Sequence, residues 1–113
     1  MTEPRPAIRV ERAVVLINGH AGGFGRRHAA EIESELRTRF SDRSIAAEIA
    51  VIDGGALHAA VTEARERVRR GEIDAVMIGG GDGSSRIAAS VLAETGVPLG
   101  IVPLGTRAQF ARD

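Results

Sequence analysis

The sequence has no cysteine, and its fifteen basic residues are all arginine, so lysine is missing as well. The first absence removes a disulfide framework. The second removes the Walker A loop, the usual protein-kinase machinery and Schiff-base catalysis, each of which needs a lysine amine. Net charge is absent too, because 15 acidic side chains balance 15 basic ones. No long-range field draws in a polyanion, and no nucleic-acid partner is expected. No apolar run is long enough to span a bilayer, and the charged first eleven residues, with two prolines, do not resemble a signal peptide. A cytoplasmic location is the expectation.

What is present suits one compact domain: 113 residues, 43% of them hydrophobic. A chain of this size buries roughly 65% of the surface that its unfolded form exposes. That suffices for one core with little stability to spare, so 1–113 is read as a single domain.

Hydrophobic patterning alternates between two periods. A β-branched apolar run over 13–17 stops at Asn18 and Gly19, as a buried strand entering a turn does. From 26 to 40, Ile32, Leu36 and Phe40 recur every four positions among glutamates and arginines, the apolar stripe of a helix. A second strand is expected over 47–52. A second helix then carries Leu57, Val61, Ala64 and Val68 on one face, with Gly71 as its C-terminal cap. A third strand over 75–78, a third helix over 85–94 ended by Gly96, and a fourth strand over 97–102 continue the pattern, and another helix is expected in the last residues. Strands that alternate with helices pair in parallel through right-handed crossovers. The expected fold is α/β, a three-layer open sandwich on a mainly parallel sheet.

In such a sheet a ligand binds beyond the carboxyl ends of the strands. The loops there read Asn-Gly-His-Ala-Gly-Gly-Phe-Gly at 18–25, Gly-Gly-Gly-Asp-Gly-Ser-Ser at 79–85 and Pro-Leu-Gly-Thr at 103–106. Glycine, lacking Cβ, lets backbone amides approach a phosphate, and a helix N-terminus behind it adds partial positive charge. The candidate nucleotide-binding residues are Asn18, Gly22, Gly23, Gly80, Gly81, Gly83, Ser84, Gly105 and Thr106. Arg26 joins them. With Arg27 it stands in a first helical turn, where a cation is disfavoured unless an anion lies at the helix end; a solvated surface position is the plain alternative. Alone, the first loop also fits a flexible strand-to-helix turn, and its spacing is not that of a dinucleotide fingerprint. Asp82 is the candidate catalytic residue, as proton acceptor for an attacking hydroxyl or as a partner of magnesium through water. Capping the helix behind it, in competition with Ser84 or Ser85, is the structural alternative.

In this order and spacing the segments resemble the catalytic domain of diacylglycerol kinases, sphingosine kinases and their bacterial relatives. That family carries an Asn-Pro-x-Ser-Gly-like loop, a Gly-Gly-Asp-Gly-Thr loop and a Pro-Leu-Gly-Thr-x-Asn-x-Phe-Ala-Arg segment. Residues 80–84 nearly copy the second, and 103–106 with Phe110, Ala111 and Arg112 hold most of the third. Phosphofructokinases and NAD kinases share the Gly-Gly-Asp-Gly loop, so the third segment points to the lipid-kinase branch. The resemblance implies the N-terminal, nucleotide-binding domain of a fold shared with NAD kinases, with ATP and Mg2+ as cofactors. It further implies transfer of the ATP γ-phosphoryl group to the hydroxyl of a diacylglycerol-like or sphingoid lipid. In the family a β-rich second domain completes the lipid cleft. With none in this sequence, the chain alone is expected to be inactive, and peripheral contact with the inner face of a membrane is expected only of a longer protein.

Four positions depart from the family pattern: Gly19 replaces proline, Ser84 replaces threonine, and Ala108 and Gln109 replace Asn followed by Asp or His. Serine keeps the hydroxyl, whereas Ala108 removes a donor and an acceptor. A noncatalytic nucleotide- or anion-binding module is therefore the second reading. A third is a fragment that self-associates as a homo-oligomer through an exposed sheet edge.

Overall fold

β1 (Arg12–Asn18) is buried at five successive positions, too apolar on both faces for any place but the middle of a parallel sheet. Around it lie β2 (Ala46–Ile52), β3 (Ala75–Gly80) and β4 (Leu99–Pro103), in the order β2-β1-β3-β4 with every pair parallel. The crossovers are made by α1 (Arg26–Asp42), α2 (Leu57–Arg69) and α3 (Asp82–Leu92). The structure, a computed structural model, describes residues 10–19 and 26–103, with residues 26–29 and 103 by backbone alone.

The strand order sends the chain from β1 to one side and then back across it to the other. Right-handed crossovers put α1 on one face of such a sheet and α2 and α3 on the opposite face, and the side chains sort accordingly. Val15 and Ile17 pack with Leu36 of α1 and Val102 of β4. Their neighbours Val14 and Leu16 point the other way, to Leu57, Val61 and Ala64 of α2 and Ala88, Val91 and Leu92 of α3. Ile17, Leu57, Ile78, Val15, Val61 and Val76 are the largest fully buried side chains, each worth about 1.5–3 kcal/mol of transfer free energy. The expected three layers are present.

Element ends show where local chemistry decides. α2 stops as expected at Gly71, whose φ of 78° and N–H to the Val68 carbonyl at 3.0 Å turn the chain away. α3 differs from expectation at both ends. It begins at Asp82 because Gly81, in an extended conformation, accepts the Ser85 N–H at 3.2 Å and closes the first turn. It ends at Leu92 because Ala93 is extended (ψ 133°) and Glu94 takes a left-handed φ of 61°, ahead of Gly96. β4 begins at Leu99 because the ladder is entered through the Pro98 carbonyl, which accepts the Val76 N–H at 3.0 Å. The helix expected in the last residues lies outside the described residues.

Candidate active site

After β1 the chain moves to β2, and after β3 it moves to β4, so the crevice beyond the carboxyl ends of β1 and β3 is the topological switch point. Parallel pairing sets Ile17 beside Gly79, which brings Asn18 and the segment from Gly80 onward to one rim. The Asn18 amide Nδ2 donates to Ser84 Oγ at 2.9 Å, across 66 residues of sequence. Ser84 is 3% exposed and is the buried polar side chain of the described core.

The glycines of this rim serve different purposes. A Cβ on Gly80 would stand 2.7 Å from Ser84 Oγ and 3.2 Å from Asn18 Cβ, closer than atoms pack. Glycine at 80 is therefore demanded by the Asn18–Ser84 contact. Gly81 and Gly83 are exposed, and a Cβ on either would meet nothing within 4 Å. The space beside these two is open.

Gly81 occupies the N-cap of α3 with no side-chain hydrogen bond to the helix. The capping alternative for Asp82 is thus excluded, because Asp82 is already the first helical residue and Ser84 is turned toward Asn18. The first-turn N–H groups have no intrahelical acceptor, and together with the helix dipole they form an anion-attracting end. Asp82 stands exposed in that turn, and its carboxylate has no partner among the described residues. Among those residues no three His, Cys, Asp or Glu side chains gather as a metal cage.

Of the other expected site residues, Arg26 opens α1, whose first turn holds no acidic residue, and its side chain is not described. Gly22, Gly23, Gly105 and Thr106 lie outside the described residues, as do His20, Ala108, Gln109 and Phe110. The register pairs Gly80 with Pro103, so the third motif starts on the same edge. Residues 53–55 also border the site, although sequence reasoning did not include them. Asp53 follows β2 directly and accepts the Gly55 N–H at 3.4 Å, capping a 3-10 turn over Gly54–Ala56 that runs into α2. A Cβ on Gly54 would meet both polar atoms of the Asn18 amide at 3.5 Å. The Asp-Gly-Gly triplet at a strand end was the available signal. A concavity of about 620 Å³ lies elsewhere, between α1 and β4, against Leu36, Phe40, Met77 and Val102. It includes none of the motif residues.

An open parallel sheet whose glycine-rich edge meets an uncapped helix N-terminus at the switch point defines the class: an open α/β domain with its glycine-rich loops at the carboxyl edge of the sheet. Comparison with known proteins narrows the class. Residues 12–113 match the diacylglycerol kinase catalytic domain, and the chain belongs to that family. Two diacylglycerol kinases of Mycobacterium tuberculosis, from strains CDC 1551 / Oshkosh and ATCC 25618 / H37Rv, are each 36% identical over 97 residues. The match covers 86% of this chain and 28% of each relative, so the chain spans little more than a quarter of their length. A crystal structure of a diacylglycerol kinase from Bacillus anthracis str. Sterne superposes with a TM-score of 0.58 at 22% identity, over 92% of this chain and 36% of that one. Another structure from the same organism superposes with a TM-score of 0.63 at 23% identity, over 98% and 38%. At these identities the superpositions establish the fold. No helix among the described residues is long and apolar enough to cross a membrane.

Proposed function

We propose that this chain is the nucleotide-binding part of an ATP-dependent lipid kinase, which transfers the ATP γ-phosphoryl group to a hydroxyl of a diacylglycerol-like or sphingoid lipid. The carrying observation is the switch-point rim: the open N-terminus of α3 at Gly81, an exposed carboxylate at Asp82, and the Asn18–Ser84 hydrogen bond that holds the two strand ends together. Membership of the diacylglycerol kinase catalytic family supports the choice of reaction.

Phosphoryl transfer asks little covalent chemistry of a protein and much positioning and charge stabilisation. The amides around Gly81 and Gly83, backed by the α3 dipole, receive phosphate oxygens, and the loops after β1 and β4 add Gly22, Gly23, Arg26, Gly105 and Thr106. Asp82 accepts the proton of the lipid hydroxyl as its oxygen attacks the γ-phosphorus in line, or holds magnesium through water. A single carboxylate fits magnesium, which is usually held by one or two carboxylates plus substrate phosphates, and the ion would spread the charge of the transferring group. Asn18 and Ser84 fix the rim. The lipid is held by protein beyond these 113 residues, so the chain alone binds nucleotide without transfer.

Fusing this chain ahead of the remaining part of the Mycobacterium tuberculosis relative tests the reading, with transfer of label from γ-labelled ATP to diacylglycerol as the assay. The fusion is expected to be active, and Asp82→Asn to lower kcat by about 10²–10⁴-fold. Transfer by the unfused chain would refute the division of labour. A second reading, a noncatalytic nucleotide-binding module, has Ala108 in its favour. A fusion that binds ATP but gains no transfer even after Ala108→Asn would favour it.

A further inference from the structure

The sheet has two outer strands, and they are guarded differently. Among the described residues β1 is the one strand beside β2, and β3 the one beside β4. Each residue of a strand turns its N–H and C=O to the same side, and the side alternates along the strand. In β2 the Ala46 N–H donates to the Glu11 carbonyl and the Ile52 carbonyl accepts the Gly19 N–H, both at 2.8 Å on the β1 side. The backbone groups of Ala47, Ile49 and Val51 therefore point outward, where no strand lies among the described residues. In β4 the Pro98 carbonyl faces β3, so Leu99, Ile101 and Pro103 point outward, and proline has no N–H to offer. Short length, proline and charge are the usual protection of a sheet edge. β2 has seven residues against five in β4, no proline or glycine, and one charge, Glu48, whose carboxylate is held by Arg67 of α2.

The strand that fits this edge is β2 itself. With Ile49 on a two-fold axis, Ile49 lies opposite its own counterpart and Ala47 lies opposite Val51 of the other copy, each pair exchanging both of its hydrogen bonds. Every outward N–H and C=O over 47–51 is then used. The side chains agree. Ala47 and Ile49 lie on the α1 face, as Val51 does by alternation, so Ile49 meets Ile49 and the exposed Val51 gains Ala47 as a neighbour. On the α2 face Glu48 lies opposite Ala50, and no like charges are opposed. Moving the axis to Glu48 would set two carboxylates face to face, and moving it to Ala50 would carry Ala47 past the end of the partner strand. We infer that β2 is a homotypic docking edge: two copies of this chain pair β2 antiparallel about Ile49 and join their four-stranded sheets into one. A contact built on one strand pair falls in the class below about 1,200 Å², whose complexes are weak, so the dimer forms and dissociates with concentration.

Sedimentation velocity of the chain, from micromolar to millimolar concentration, is expected to move from the 11.9 kDa monomer toward twice that mass. Val51→Pro removes an outward N–H and leaves the β1 ladder whole, so its dimer should need on the order of tenfold more protein. Val51→Lys, which places a charge on the edge, should act in the same direction, and circular dichroism checks that both variants are folded. Because the chain has no cysteine, single cysteines report the register. Residues opposed in a hydrogen-bonded pair have Cα atoms about 5.5 Å apart, within disulfide range, whereas the two copies of Val51 would be displaced by four residues, about 13 Å. Under mild oxidant Ile49→Cys should cross-link, and Val51→Cys, at the more exposed site, should do so on the order of tenfold more slowly. A monomer at millimolar concentration, or masses beyond a dimer, overturns the inference. So do folded Val51→Pro and Val51→Lys chains that dimerise as readily as wild type, and cross-linking of Val51→Cys as fast as that of Ile49→Cys.

Discussion

Gly80 and Gly83 are three residues apart in one glycine-rich segment, yet alanine should act on them with opposite sign. At Gly80 the new methyl would lie 2.7 Å from Ser84 Oγ, 3.0 Å from Ser84 Cβ and 3.2 Å from Asn18 Cβ. Ser84 belongs to a helix packed on the core through Ala88, Val91 and Leu92, and Asn18 ends the central strand, so neither can retreat cheaply. Overpacking of this kind costs about 1–3 kcal/mol. Pushing Ser84 off Asn18 adds about 1 kcal/mol for the lost hydrogen bond, so the sum is about 2–4 kcal/mol. With about 2.1 cal/mol/K of unfolding entropy per residue, a chain of 113 residues loses about 4 °C of melting midpoint per kcal/mol. Gly80→Ala should therefore melt about 8–16 °C below wild type. At Gly83 a methyl meets nothing within 4 Å and the residue is helical, so alanine should gain about 0.5–1 kcal/mol, or roughly 2–4 °C. Thermal unfolding followed by circular dichroism reads both. Gly80→Ala within 2 °C of wild type, or Gly83→Ala below it, would refute the assignment of the two glycines.

Other expectations follow from neighbouring contacts. Gly83→Ala should weaken nucleotide binding even as it stabilises the fold, because its methyl would stand beside the proposed phosphate site; an unchanged affinity in calorimetry would contradict that. In a double-mutant cycle of Asn18→Ala and Ser84→Ala, unfolding should show a coupling of about 0.5–1.5 kcal/mol, and simple additivity would mean that the 2.9 Å bond is not formed in solution. The Asp74 carboxyl is held below its ordinary value by the backbone N–H of Glu11, then by that of Arg12, both at 2.9 Å. Because the folded value is depressed, its stabilisation is complete above the unfolded value of about 3.9 and is lost as pH falls through the folded one. Asp74→Asn should lower the melting midpoint at pH 7 and flatten its fall below about pH 4, and parallel curves for variant and wild type would count against the contact.

The fold was legible because its periods are clean. The run at 13–17 reads as a buried strand and is one, and the four-residue recurrence of Ile32, Leu36 and Phe40 located α1 within two residues of its end. Of the candidate site residues, Asn18 and those at 80–84 were legible as belonging to one rim, since both segments follow neighbouring strands. Composition misled at the α3 start. A stretch of Gly, Asp and Ser reads as loop, whereas the helix already begins at Asp82 because Gly81 supplies the first carbonyl acceptor. The burial of Ser84 was invisible for a different reason. It depends on Asn18, 66 residues away, and no local pattern encodes that contact. The 3-10 turn over Gly54–Ala56 was missed because its place beside Asn18 arises only when β2 lies beside β1.

The most direct test of a phosphate-binding rim is a magnesium-ATP titration of the chain, with backbone amide resonances followed by NMR. The account predicts shifts centred on Asn18 and residues 80–84, with little change at the amino edge of the sheet around Glu11, Ser44 and Asp74. Shifts confined to that amino edge, or none at millimolar nucleotide, would contradict it.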